Sequence, residues 1–391
     1  MNLFLKLLLS FVLFIVLAAA LLWGSAKRAA VPGPEAPPLD TLSNAGLQNA
    51  IKAVAAQNKL VGMTGRVVVD GAVVAEAVKG WRTKAADAPL MRDDRFHVGS
   101  IGKSMSATVI ATLVEDGTMG WNDTLGASLP DVPMHEDWHD TTLSQLLTHT
   151  ASAPAIPISD MINSVSEPER LHEIRRRVAA KMLEDPPKTE PGKTFAYSNA
   201  GFMLASIMAE ETTGESWETL VRTRLAEPLG LDTFGFGAPQ GNAPWGHSMI
   251  FGFKMTHDPT EGADNPPFMA AAGTMHMTLD DLLRYGRAHL DAGRGNDTLL
   301  NAKTFERLHT PALNDYAYGW IVQTRDFGDG PEPMIWHNGS NTMWYALLVL
   351  LPERNAAIAL ATNDGSHLER TRASFDRLAL EIAERVAQAA P

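Results

Sequence analysis

The sequence predicts an α+β fold, in which one antiparallel sheet is built from both ends of the chain and a mainly helical lobe is inserted between them. Strand patterns occur near the beginning and again near the end of the chain, and the segment between them is mostly helical. No repeat of about 20–50 residues is visible, which excludes a solenoid or a propeller. We therefore expect flanking helices to cover the sheet and a site to lie in the cleft between the two lobes.

The elements follow from local patterns. Two runs of β-branched residues at 65–69 and 72–78 flank Asp70-Gly71, a strong signal for a two-residue hairpin turn. Strand patterns return at residues 318–324, 334–337, 343–351 and 356–362. Apolar periodicity and terminal glycines predict helices at residues 101–117, 142–148, 168–184, 199–213, 216–226, 278–292 and 302–308, and a last amphipathic helix at 368–389.

The predicted domain organisation has three parts. Residues 1–26 form a signal peptide or a membrane anchor, and residues 27–41 form a proline-rich linker. Residues 42–391 form one domain. Its sheet lobe comprises about residues 42–98 and 316–391, and its helical lobe comprises about residues 99–315.

The amino terminus predicts export. Residues 7–23 are apolar except for Ser10, and at helical rise they span roughly 26 Å, slightly less than the hydrocarbon core of about 30 Å. A cleaved signal peptide would leave the protein soluble in the periplasm, whereas an uncleaved segment 7–23 would anchor it to the inner membrane. The length of the apolar segment favours the anchor.

Composition limits the chemistry. There are 33 Lys and Arg residues against 45 Asp and Glu residues, a net charge of −12, and no basic run interrupts this acidity. We therefore expect a small-molecule or peptide substrate and no nucleic-acid partner. The chain has no cysteine, which excludes disulfides, thiolate metal sites and a cysteine nucleophile. We predict no cofactor and no metal. The sequence specifies no oligomeric state.

The first candidate motif is Ser100-x-x-Lys103, which follows a predicted strand. If Ser100 opens a helix, Lys103 lies one turn further on the same face, so the hydroxyl and the amine can meet. The helix amino terminus would add positive potential beside such a nucleophile. A phosphate-binding loop ending in Gly102-Lys103-Ser104 is excluded, because its first glycine would stand where His97 is. Alone, the motif also fits a capping serine and a solvated lysine.

Two further motifs come later in the chain. Tyr197-x-Asn199 precedes a predicted helix, and residues two apart in an extended segment face the same side. A nearby lysine cation would favour the Tyr197 phenolate, which could then act as a base, and Asn199 offers both a donor and an acceptor to a substrate amide. The alternative is a core tyrosine beside a capping Ser198 or Asn199.

The third motif is His337-x-Gly339, followed by Ser340 at the end of a predicted strand. A glycine there lets a substrate lie against the backbone, with the next N–H group exposed as an oxyanion donor. His-x-Gly is weak evidence alone, because it also occurs at residues 97–99.

A rival motif belongs to another class of enzyme. His135-Glu136-x-x-His139 matches the zinc-protease signature. That signature needs both histidines on one face of a helix and a third ligand, whereas prolines precede this segment and no glutamate follows before residue 166. A polar surface loop is the alternative interpretation.

Together, Ser100-x-x-Lys103, Tyr197-x-Asn199 and His337-x-Gly339, in this order, resemble the serine β-lactamase and penicillin-binding-protein superfamily. The class C β-lactamases, D-alanyl-D-alanine carboxypeptidases and related esterases are the most similar branch. The resemblance extends over about residues 45–385 and includes Leu146-Leu-Thr-His149-Thr, Ala272-Gly-Thr and Asn363 after the last strand. We read His149 as structural.

The resemblance implies acyl transfer through a covalent acyl-enzyme. Ser100 would attack a carbonyl, and the Lys103–Tyr197 pair would take its proton; which of the two is the base is left open. The N–H groups of Ser100 and Ser340 would hold the oxyanion. Asn199 would bind the amide on the acyl side of the substrate. A homologue that binds cell-wall peptide without catalysis is a further alternative.

One departure from the family bears on the substrate. Many relatives that bind β-lactams have Lys-Thr-Gly at the third motif, where this chain has His337 and Asn338. A neutral imidazole binds a carboxylate less well than a lysine does. We therefore expect weak β-lactam turnover and a preference for ester or amide substrates.

Overall fold

The computed structural model describes residues 39–85, 88–163, 170–296 and 299–389. The signal peptide or anchor predicted at 1–26 and most of the linker predicted at 27–41 lie outside the described residues. No helix within the described ranges is long and apolar enough to cross a membrane.

The strands of the described chain, in order, are β1 (Gly62–Val69), β2 (Ala72–Gly80), β3 (Arg95–His97), β4 (Gly235–Phe236), β5 (Gly246–Ile250), β6 (Phe253–His257), β7 (Met275–Thr278), β8 (Ile321–Asp326), β9 (Pro331–Ser340), β10 (Tyr345–Leu351) and β11 (Ala356–Thr362). The α-helices of the same residues are α1 (Asn44–Asn58), α2 (Gly102–Glu115), α3 (Leu125–Ser128), α4 (Leu143–Leu147), α5 (Ile158–Asn163), α6 (Leu171–Leu183), α7 (Asn199–Thr213), α8 (Trp217–Val221), α9 (Glu227–Leu229), α10 (Ala270–Gly273), α11 (Leu279–Gly293), α12 (Ala302–Leu308) and α13 (Leu368–Ala389).

The main sheet joins the two ends of the chain. Its six strands are ordered β2-β1-β11-β10-β9-β8, and each neighbouring pair is antiparallel. At the junction, Met63 of β1 lies opposite Thr362 of β11, about 300 residues later in the chain. The predicted α+β fold with an antiparallel sheet and flanking helices is therefore confirmed.

Alternation along the strands gives the sheet two apolar faces. Val67, Leu347 and Ile358 pack in the core shared with α1 and α13. Leu348 and Leu350 point the other way, into the core that continues into the helical lobe. Helix α11 lies so close to this second face that a Cβ atom at Gly286 would come within 2.8 Å of Leu350.

Two smaller sheets consist of β3, the strand predicted before Ser100, and of strands that the sequence did not predict. A small sheet has the order β3-β7-β4, and β5 pairs with β6 as a hairpin. Strand β4 has only two residues, which is too short for an alternating pattern to be recognised. The helix predicted at 216–226 is interrupted, because residues 222–226 form a π-helical turn after α8.

Candidate active site

The turn that carries Ser100 follows β3. Gly99 has a φ of +53°, a left-handed conformation that glycine adopts without steric cost. Residues 99–101 then form a 3-10 turn that continues into α2, and the side chain of Ser100 is partly exposed. The predicted arrangement of strand, glycine turn and helix is present.

Lys103 lies on the first turn of α2 and is completely buried. Its Nζ is 3.0 Å from Ser100 Oγ, 2.8 Å from Asn199 Oδ1 and 2.7 Å from the carbonyl oxygen of Ala272. No carboxylate is among these partners, and burial lowers the pKa of Lys103 to about 7. A large fraction of Lys103 is therefore the neutral amine near pH 7, a form that can accept a proton from Ser100.

Tyr197 lies beside the same pair of residues. Its ring is 5.0 Å from Lys103 Nζ, and its side chain is hydrogen-bonded to Ser100. Burial raises the pKa of Tyr197 well above its ordinary value, and the bond to Ser100 offsets only part of that rise. This direction is opposite to the one predicted from the sequence, because burial desolvates the phenolate.

Asn199 is the first residue of α7, and Ser198 caps that helix. Ser198 has extended backbone angles, and its hydroxyl accepts a hydrogen bond from the N–H of Ala200 at 3.1 Å. The extended residue between them directs Tyr197 and Asn199 to one side, as the motif predicts. The extended conformation of Ser198 therefore both caps α7 and places Tyr197 and Asn199 on the same side.

The backbone of the Ser100 turn lies directly against the end of β9. A Cβ atom at Gly339 would be 2.0 Å from the carbonyl oxygen of Val98 and 2.4 Å from the nitrogen of Ser100. In the opposite direction, a Cβ atom at Gly99 would be 2.3 Å from the nitrogen of Ser340. Only glycine allows this approach, which brings the backbone N–H groups of Ser100 and Ser340 to one place.

His337 lies on β9 and is 2% exposed. Burial, together with the charge of Lys103, lowers the pKa of His337 to about 3. His337 is therefore neutral near pH 7. The neighbouring Asn338 donates from Nδ2 to the hydroxyl of Tyr345 at 3.0 Å. Neither side chain of this motif offers the cation that a lysine would provide.

A chain of hydrogen bonds provides partners for both nitrogens of the neutral His337 imidazole. The N–H of Ser198 donates to His149 Nδ1, which leaves the proton of that imidazole on Nε2. His149 Nε2 and His337 Nε2 are each 3.2 Å from the hydroxyl of Tyr316. His337 Nδ1 donates to the carbonyl of Asn338 at 2.6 Å, so Tyr316 accepts from His149 and donates to His337.

This chain joins the Tyr197 segment to β9. His149 is 2% exposed, and burial lowers its pKa well below the ordinary value. Its ring centroid lies 4.2 Å from that of Tyr197. These contacts agree with the structural role expected for His149.

Two groups of the site, the hydroxyl of Tyr316 and the carbonyl of Ala272, were not predicted from the sequence. Tyr316 precedes β8 in a segment with several aromatic residues, and nothing local distinguishes it from a core tyrosine. Ala272 contributes only its carbonyl oxygen, which no sequence pattern can reveal. The sole signal was the Ala272-Gly-Thr segment noted among the family features.

The alternative zinc motif does not form the helix that it requires. Residues 136–138 form a single 3-10 turn capped by His135, whose Nδ1 accepts from the N–H of Asp137 at 3.3 Å. His135 and His139 therefore do not lie one α-helical turn apart on one face. Across the described ranges, no group of three or more His, Cys, Asp or Glu side chains is placed to hold a metal ion.

The fold and the three motifs assembled on it define a member of the serine β-lactamase and penicillin-binding-protein superfamily. The family model described as Beta-lactamase matches residues 47–381, so the chain belongs to that family.

Individual relatives are distant. Unguisins hydrolase ungD' of Aspergillus campestris is 25% identical over 289 residues, which are 69% of this chain and 53% of that protein. The chain spans about half the length of several curated relatives that it matches.

Solved structures show the same fold. The octameric penicillin-binding protein homologue from Pyrococcus abyssi matches with a TM-score of 0.71 and 22% identity, covering 89% of this chain and 79% of that one. The D-amino acid amidase from Ochrobactrum anthropi SV3, complexed with D-phenylalanine, matches with a TM-score of 0.70 and 21% identity, covering 88% and 99%.

Proposed function

We propose that this protein is a serine hydrolase that acts on ester or amide bonds through an acyl-enzyme on Ser100. The observation that carries the proposal is the 3.0 Å contact between Ser100 Oγ and the buried amine of Lys103, whose pKa is lowered to about 7. A serine hydroxyl is a weak nucleophile unless a neighbouring base takes its proton, and the neutral amine is such a base.

The proposed reaction has two halves. Ser100 Oγ attacks the substrate carbonyl while its proton passes to Lys103, and the N–H groups of Ser100 and Ser340 stabilise the oxyanion. The tetrahedral intermediate then expels the alcohol or amine, which leaves with that proton by way of the Tyr197 hydroxyl. Water then attacks the ester formed on Ser100 and gives one proton to the same groups. The bond between the acyl carbon and Ser100 Oγ breaks, Ser100 Oγ takes that proton back, and the acid is released.

Asn199 would orient the acyl side of the substrate. Its Oδ1 accepts from Lys103, so its Nδ2 is the group that would donate to a substrate carbonyl. The hydrogen bond between Lys103 and Asn199 would thus orient both the base and the amide that binds the substrate.

The third motif supports uncharged ester or amide substrates over efficient β-lactam turnover. His337 is neutral and buried, and the Asn338 amide donates to Tyr345, so neither supplies a cation for a substrate carboxylate. The name of the D-amino acid amidase among the structural neighbours supports including amides of D-amino acids among the test substrates. We further propose export to the periplasm, which rests on the apolar residues 7–23.

The test is covalent labelling of the purified protein. A fluorophosphonate probe should add its mass to Ser100, and Ser100→Ala should abolish both labelling and hydrolysis of nitrophenyl esters. Ser159→Ala, a change at an exposed serine in α5, is the matched control and should label like the wild type.

Two results would overturn the proposal. Full activity in Ser100→Ala, together with loss on chelation or in His135→Ala, would support the metalloprotease. Binding of cell-wall peptide without acylation by any probe would identify a non-catalytic homologue.

A further inference from the structure

Behind the proposed oxyanion site lies a buried carboxylate that the proposed mechanism does not use. Asp264 belongs to the loop between β6 and α10, and its side chain is 9% exposed. A buried carboxylate is costly unless several donors converge on it. Two donors bond to Asp264 Oδ1 and His97 Nε2 lies in close contact with it, and each of these three groups belongs to, or leads to, backbone that forms the site.

The first contact connects Asp264 to the Ser100 turn. His97 is completely buried, and its Nδ1 accepts from the N–H of Gly99 at 3.1 Å. This bond leaves the imidazole proton on Nε2. Nε2 lies 2.8 Å from Asp264 Oδ1, a close contact in which the N–H is not aligned for a hydrogen bond. The orientation of His97, and through it the left-handed residue Gly99, is therefore tied to the carboxylate.

The second contact, a hydrogen bond, connects Asp264 to the end of β9. Asn341 directly follows Ser340, is 2% exposed and donates from Nδ2 to Asp264 Oδ1 at 3.0 Å. Its Oδ1 accepts from the N–H groups of Met343 and Trp344, both at 3.2 Å. Asp264 thus orients the amide that organises the turn after Ser340.

The third contact is a hydrogen bond from the N–H of Asn265, which is 2.6 Å from Asp264 Oδ1. Asn265 in turn donates from Nδ2 to the carbonyl of Gly273 at 2.7 Å. Gly273 lies directly against the Ser100 turn, because a Cβ atom at Gly273 would be 3.3 Å from the nitrogen of Ser100. The residue before it, Ala272, accepts from Lys103.

We infer that Asp264 is a positioning residue that sets the separation and direction of the two oxyanion donors, the N–H groups of Ser100 and Ser340. One carboxylate oxygen contacts the segment before Ser100 and the residue after Ser340, which are about 240 residues apart in the chain. A side chain that fixes the positions of other site residues acts through geometry. An error of about 1 Å in the position of reacting groups can lower the rate by about 100-fold. This inference rests on the proposed function.

The test compares Asp264→Asn and Asp264→Ala with the wild type. Loosening the two donors removes stabilisation that is specific to the transition state, so kcat should fall and KM should stay the same. We expect a fall of about 10-fold for Asp264→Asn and about 100-fold for Asp264→Ala. Asp281→Asn is the matched control and should keep wild-type kcat, because this buried carboxylate binds Thr233 away from the site.

The affinity for a boronic acid distinguishes a positioning role of Asp264 from a purely structural one. Its boron accepts the Ser100 oxygen and becomes tetrahedral, so that one boron-bound oxygen occupies the oxyanion position. The dissociation constant of phenylboronic acid should rise in the Asp264 variants by the same factor as kcat falls, while their melting temperatures identify any general unfolding. If Asp264→Ala does not fold, the isosteric Asp264→Asn carries the test.

The outcomes separate the inference from the proposed function. Wild-type kcat and boronic acid affinity in folded Asp264 variants would overturn the inference alone. A rise in KM without a fall in kcat would also overturn it. A wild-type protein that neither turns over esters nor binds phenylboronic acid would refute the serine hydrolase, and the inference would fall with it.

Discussion

The amine of Lys103 lies 3.0 Å from the hydroxyl oxygen of Ser100 and has no carboxylate among its hydrogen-bond partners. Buried lysines are usually neutralised by an ion pair, and this one has only neutral acceptors. The cost of burying its charge is what lowers its pKa to about 7. Two predictions follow from this property of Lys103.

The first concerns the pH dependence of acylation. Because the neutral amine is the base, kcat/KM for a nitrophenyl ester should rise with pH through an inflection near 7, the pKa of Lys103. Lys103→Arg keeps a cation at all accessible pH values and should lower kcat/KM by about 100-fold or more. A flat profile between about pH 6 and pH 8 would contradict the assignment of Lys103 as the base.

The second concerns stability. The unfolded chain holds the lysine proton up to about pH 10.5, whereas the folded chain releases it near pH 7, so between these values the unfolded state binds more protons. The free energy of unfolding of the wild type, relative to Lys103→Met, should therefore rise by roughly 1 kcal/mol per pH unit from about pH 7 to pH 9. Urea titrations of both proteins measure this difference, and a difference that falls with pH would refute the lowered pKa.

The contact between Gly339 and the Ser100 turn predicts a steric effect. Gly339→Ala would place a Cβ atom 2.0 Å from the carbonyl oxygen of Val98, so the two backbones must separate. We expect a loss of about 100-fold in kcat, as for removal of an oxyanion donor, and about 1–3 kcal/mol of stability. Gly293→Ala, where a Cβ atom meets nothing within 4 Å, is the control and should change neither kcat nor the melting temperature.

The hydrogen-bond chain through Tyr316 predicts a stability effect. Tyr316→Phe leaves Nε2 of both His149 and His337 buried without this partner, and each unpaired buried group costs about 1–3 kcal/mol. Tyr318→Phe also loses one hydrogen bond, to Ser144, but does not touch either imidazole. Thermal denaturation should therefore show a larger loss for Tyr316→Phe, and equal losses would contradict the role of the chain.

The neutral state of His337 predicts how substrate charge affects turnover. Since burial holds the pKa of His337 at about 3, its charge does not change between about pH 5 and pH 8. The ratio of kcat/KM for a chromogenic ester bearing a free carboxylate to that for its methyl ester should stay constant over this range. A ratio that rises as the pH falls through 6.5 would indicate that the imidazole protonates and binds the carboxylate.

Much of the site could be predicted because its motifs are local. Ser100 and Lys103 meet because residues three apart share one face of a helical turn. Tyr197 and Asn199 face one side because Ser198 is extended and caps α7. In each case the relevant geometry extends over only a few residues, and the residue types themselves reveal it.

The pKa of Tyr197 shows where local reasoning failed. Proximity to a lysine suggested that the phenolate would be favoured, but burial raises the pKa of Tyr197 instead. At His135 and His139, by contrast, the sequence already provided reasons against a helical metal site, and the chain there forms a 3-10 turn. Solvent exposure and backbone conformation at both places depend on packing against other segments.

The sequence alone determined the class of fold, the three motifs and their order, because periodicity, turn residues and helix caps act over a few neighbouring positions. Only the tertiary structure decided which other groups complete the site: the carbonyl of Ala272, the hydroxyl of Tyr316 and the carboxylate of Asp264. Each of them contacts residues more than 70 positions away in the chain. Such contacts exist only after the sheet and the helical lobe have packed together, and the same packing removes water from Lys103 and His337 and so changes their pKa values.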